Sequence, residues 1–71
     1  MSEWISTPQS SNMAGFGYNE TTQVLTVEFK NGNRYNYYDV PSSIFEGMKS
    51  ASSIGGYLHA NVKGCYRYAR E

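Results

Sequence analysis

Polar and apolar positions alternate most regularly between Val24 and Lys30, where Leu25, Val27 and Phe29 fall on one side of an extended chain and Thr26, Glu28 and Lys30 on the other. A period of two predicts a half-buried strand. Met13 to Tyr18 reads as a strand interrupted by glycines, with Asn19 to Gln23 as the loop between the two. The Asn31-Gly32 pair marks a hairpin, and the loop length decides which face the following tyrosines occupy. A two-residue loop pairs Glu28 with Tyr35 and sends Tyr35 and Tyr37 to the solvent side. A three-residue loop, Lys30 to Gly32, pairs Phe29 with Asn33, Val27 with Tyr35 and Leu25 with Tyr37. That register builds one continuous apolar face, with Gly32 left-handed in a bulge, and it is the one expected.

Val40-Pro41 ends this strand, because proline lacks a ladder donor and suits the first turn of a helix. Ser43 and Glu46 have the spacing of a capping box, and Ile44, Met48 and Ala51, with Phe45 beside Met48, form a helical stripe that ends near Ser52. Ser53 is placed to cap a second, shorter helix in which Leu58 and Val62 share a face and Gly64 is the stop. Cys65 to Ala69 alternates again, with Tyr66 and Tyr68 on one side and Cys65, Arg67 and Ala69 on the other, which predicts a last strand. The polar turn formers at residues 6–12 divide residues 1–11, an arm in which Trp4 and Ile5 form a short extended stretch that docks on the body, from one domain over 12–71. The expected fold is α+β: an antiparallel meander of three strands plus a C-terminal strand, with two short helices on one face.

A chain of 71 residues buries only a modest core of its own, so self-association into a homo-oligomer is expected. Six basic and six acidic residues cancel, which removes bulk charge as an argument for nucleic acid or membrane, so electrostatic binding has to be local. Cys65 and His59, each the single residue of its kind, furnish neither a disulfide nor a Cys/His zinc site. With no basic leader and no run of about 20 apolar residues, a cytoplasmic location without membrane contact is expected.

No motif places a nucleophile beside a base. His59 stands in a Tyr-Leu-His-Ala-Asn context and reads as an exposed or satisfied helix residue, and the carboxylates of Glu20, Glu28, Asp39 and Glu46 are scattered. The expectation is a protein that is not an enzyme and needs no cofactor or metal. Two segments suit binding. Ser53, Gly55, Gly56 and Tyr57 start the second helix, where backbone N–H groups and the dipole favour an anion. The same residues serve equally as a tight turn between helices. Aromatic and basic residues interleave in Arg34-Tyr35-Asn36-Tyr37-Tyr38 and again in Tyr66-Arg67-Tyr68-Ala69-Arg70. Neighbouring strands would gather Arg34, Asn36, Tyr38, Arg67 and Arg70 as cations, an amide and a ring for a nucleotide or an RNA base; the alternative is a solvated sheet face.

The ordered set Ser10-Ser11-Asn12, Gly17-Tyr18, Leu25-x-Val27-x-Phe29, Gly32, Tyr35-x-Tyr37, Val40-Pro41, Phe45, Ala51 and Ser53-x-Gly55-x-Tyr57 resembles the KTSC domain family, with Ile54 where a basic residue is often seen. Members occur free-standing in bacteria and phages and as a C-terminal appendage of some lysyl-tRNA synthetases. The resemblance implies a non-catalytic module with an RNA partner. The resulting expectation is binding of a phosphate-bearing ligand, either RNA or a small soluble nucleotide, the latter including a phage protein that sequesters a host immune signal. The competing reading is a protein-interaction or self-association module with no small ligand.

Overall fold

The computed structural model of the chain describes residues 2–7, Ser10 and residues 12–71. Five strands form one antiparallel sheet in chain order: β1 (Ser2–Ser6), β2 (Met13–Asn19), β3 (Val24–Phe29), β4 (Arg34–Tyr37) and β5 (Tyr68–Arg70). Helices α1 (Ser42–Ser50) and α2 (Ile54–Asn61) are inserted between β4 and β5. The sheet therefore has one strand more than expected. Trp4 and Ile5 lie on β1, where Ile5 pairs with Phe16 and Trp4 with Gly17, and β1 closes the otherwise unpaired outer edge of β2. The turn-forming stretch at residues 6–12 falls partly outside the described residues, at Pro8, Gln9 and Ser11.

The hairpin adopts the three-residue loop. Leu25 pairs with Tyr37 and Val27 with Tyr35, the Phe29 N–H donates to the Asn33 carbonyl, and Gly32 has φ +94°. The tyrosines of β4 thereby join the apolar face, and Tyr37 is buried while Tyr35 packs at its margin. An irregularity between Met13 and Gly15 in β2 sets Met13 and Phe16 on that same face. The helices cover it: Phe45 and Met48 from α1 and Leu58 and Val62 from α2 and its end complete a core with Phe16, Tyr18, Leu25 and Val27.

Helix α1 departs from the capping box. Pro41, extended at φ −70° and ψ 153°, is the N-cap and no side chain caps the first turn, so Ser43 lies within the helix. The proline ends the strand and the helix starts directly behind it, leaving no cap position for Ser43. Ala51, again extended, ends α1 two residues before Ser53. Ser53 caps α2 as expected, its hydroxyl accepting from the Gly56 N–H at 3.2 Å. Gly64 takes φ +82° in the turn that follows. Cys65 belongs to that turn and is exposed rather than packed, and β5 starts later than expected, at Tyr68.

Candidate functional site

Strand pairing sorts the remaining side chains by face. On the face turned away from the helices, Trp4, Gly17, Thr26, Asn36 and Ala69 form one row across the five strands, flanked on one side by Gly15, Glu28 and Arg34. On the other side stand Asn19 and Val24, with Tyr38 following β4 and bonded through its N–H to the Arg67 carbonyl. The two glycines of β2 create the shape of this face. A methyl group on Gly15 would stand 2.8 Å from Cζ2 of Trp4, so the indole is seated directly against bare backbone. Gly17 floors a groove of about 470 Å³ walled by Trp4 on one side and by Thr26, Arg34, Asn36 and Tyr38 on the other. Clefts of roughly 300–1,000 Å³ are the usual size for small ligands.

The polar groups of the groove are held in place. The Thr26 hydroxyl donates to Oδ1 of Asn36 at 2.6 Å, and Arg34 donates to Oε1 of Glu28 at 2.6 Å. That bond, and the charge of Glu28, raise the Arg34 pKa above its usual value, so the guanidinium stays cationic. It also reaches across the sheet to 5.4 Å from the centre of the Trp4 ring. At the opposite end the Arg67 guanidinium stands 5.3 Å from the Tyr38 ring and 3.6 Å from Asp39. Two cation and aromatic pairs thus bracket a row of hydroxyl and carboxamide groups. Trp4 remains 46% exposed, one of two large apolar side chains so open among the described residues.

Of the nine residues singled out from the sequence, four gather here: Arg34, Asn36, Tyr38 and Arg67. Ser53, Gly55 and Gly56 line a separate polar hollow with Ser10 and Asn12. Within it the Gly56 N–H is engaged by Ser53 and the Tyr57 N–H by the Ser53 carbonyl. The Tyr57 ring packs against Gly47 of α1, where an added methyl would collide with its hydroxyl. Arg70 pairs with Tyr35 and so belongs to the helix-side face. The sequence reading missed Trp4 as a member of the site, together with Thr26 and Asn19. The signal available was the adjacency of Trp4 and Ile5, which sends the aliphatic side chain of Ile5 to the core and the indole of Trp4 to the open face once the segment is read as a strand.

The sequence profile of the KTSC domain matches residues 9–68. The chain belongs to the KTSC domain family. A lysine–tRNA ligase of Nostoc sp. is 39% identical over 61 residues, 86% of this chain and 11% of that enzyme, so the KTSC chain spans only a small part of the ligases it matches. A protein of Stutzerimonas stutzeri, 36% identical over 63 residues, is matched over 89% of its own length, so free-standing relatives of similar size exist. The crystal structure of a KTSC domain protein from Yersinia pestis has the same fold, with a TM-score of 0.89 over 100% of this chain and 99% of that one at 24% identity. Among the described residues of the KTSC chain, no helix is long and apolar enough to cross a membrane, and no three His, Cys, Asp or Glu side chains gather as a metal site.

Proposed function

We propose that the KTSC chain is a binding module that takes single-stranded RNA on the helix-free face of its sheet. The observation that carries this reading is the exposed Trp4 indole seated against Gly15 beside a groove whose far wall holds Asn36, Arg34 and Tyr38. Bases stack on exposed rings and on guanidinium planes, carboxamides read base edges, and cations meet phosphate. Arg67 extends the cationic rim beyond Tyr38. Similarity to a segment of lysine–tRNA ligases supports RNA as the polymer. The groove has room for about one nucleotide, so a free nucleotide offers the same chemistry and is a necessary competitor in any test.

Trp4 is the only tryptophan, so its emission reports directly on the groove. Titration with short single-stranded RNA is expected to quench it, with affinity falling as salt rises. A free nucleotide that quenches while oligonucleotides do not would transfer the site to a small soluble ligand. Unchanged emission and unchanged melting temperature with both would remove the reading in favour of a self-association module, which mass measurement in solution then checks.

A further inference from the structure

We infer that the groove selects lactam bases, uracil and guanine, over the amino bases cytosine and adenine, and that Thr26 sets this selectivity by fixing the Asn36 carboxamide. The inference rests on the RNA reading above. Thr26 and Asn36 face each other across β3 and β4, and the hydroxyl donates to the carboxamide oxygen at 2.6 Å, a distance suited to O–H···O contact. With its oxygen engaged, Asn36 turns its NH2 to the groove. Asn19, two strands away, is arranged in the same way: its oxygen accepts from the N–H groups of Thr21 and Thr22 at 3.0 and 3.3 Å. Among the described residues neither carboxamide nitrogen has a hydrogen-bond partner.

The lining therefore offers fixed donors from two sides, to which the Arg34 guanidinium adds others. Among the described lining residues the one carboxylate is Glu71, on the side of β4. A lactam edge carries an oxo acceptor next to an imino N–H, and it meets this set with an acceptor for the carboxamide and a donor for the carboxylate. Cytosine and adenine replace the oxo group with an amino donor at the corresponding position and lack the imino N–H. An amino group facing the Asn36 NH2 sets donor against donor and leaves both unpaired, which is how a polar site rejects a near-isostere.

Oligouridine and oligocytidine make the cleanest comparison, because the two bases are alike in size. The parent chain is expected to bind oligouridine about fivefold more tightly, within the discrimination usual for a paired base contact. Thr26→Val removes the hydroxyl while keeping a β-branched side chain suited to the strand, so the carboxamide is free to turn either edge outward. In that variant the ratio is expected to fall to near one, with oligocytidine affinity held or improved. Equal binding of the two strands by the parent, or a ratio that survives Thr26→Val, overturns the inference and leaves RNA binding intact. Failure of both strands to bind removes the RNA reading itself and this selectivity with it.

Discussion

The hydroxyl of Tyr18, in the middle of the sheet, donates a 2.5 Å hydrogen bond to the carbonyl of Val40, the residue that ends the strand region before α1. Val40 also donates its N–H to the Gln23 carbonyl, so the chain leaves the sheet tied on both sides of one buried residue. Asp39 before it takes φ +58°, a left-handed bend that an aspartate tolerates better than most residues. The bend directs Pro41 and α1 back over the core, and the Phe45 ring stacks on Tyr18 at 5.1 Å. One tyrosine thus sets both where the helices begin and what they rest on.

Tyr18→Phe keeps the ring and its stacking and leaves the Val40 carbonyl buried without this partner. Chemical denaturation is expected to show a loss of about 1–3 kcal/mol, the usual cost of an unsatisfied buried group. A loss below the error of the measurement would mean that water reaches the carbonyl.

How far the chain could be read in advance follows from the range of the forces involved. The hairpin register was decided by local chemistry, because Asn31 and Gly32 set the loop and only one loop length puts Tyr35 and Tyr37 with Val27 and Leu25. That register also placed Arg34 and Asn36 on the opposite face, where the structure has them. The β1 pairing was not legible, since Trp4 and Ile5 precede a polar stretch and only the unpaired edge of β2 gives the segment its partner. The same gap hid the indole side of the groove. Ser43 misled because capping-box spacing is a local signal, whereas the bend at Asp39 and the proline behind it fix where α1 starts.

Burial raises the pKa of Tyr37 above the usual value for tyrosine, and the neighbouring phenols of Tyr68 and Tyr35 raise it further. Burial, with Glu20 adding to it, does the same for Tyr18. A group whose folded pKa is raised binds its proton more tightly when folded. Its stability contribution is complete below the unfolded value of about 10 and is lost as pH rises through the folded value. The melting temperature is therefore expected to fall at alkaline pH. Tyr37→Phe, which removes one of these protons, should lose less on going from pH about 9 to about 11 than the parent does. Parallel curves for the two proteins would remove Tyr37 as a source of the alkaline loss.

Gly15→Ala tests how the indole is seated. The added methyl would meet the Trp4 ring at 2.8 Å and the Ile5 carbonyl oxygen at 2.9 Å, and the second is backbone that cannot swing aside. The expected result is destabilisation of about 1–3 kcal/mol, as for other overpacked sites, with weaker RNA binding because the ring is displaced. The Trp4 emission spectrum of the folded variant, measured without ligand, checks the displacement directly. An unshifted spectrum with unchanged affinity would show that the indole can sit elsewhere on the face without cost.

Arg67 separates binding from stability. Its guanidinium stands over Tyr38 and 3.6 Å from Asp39, and the two charged side chains are 75% and 81% exposed, so water screens the pair heavily. Exposed pairs of this kind contribute little to folding, and Arg67→Ala is expected to melt within ~0.5 kcal/mol of the parent. Its contribution to RNA binding follows a different rule, because each neutralised phosphate releases a counterion to bulk solution. Removal of one phosphate contact is expected to lower the slope of log affinity against log salt by about 0.7, the value for single strands. Measuring affinity at several salt concentrations for both proteins decides the matter. An Arg67→Ala variant with the parent's slope would place Arg67 off the path of the strand, leaving Arg34 as the cation of the groove.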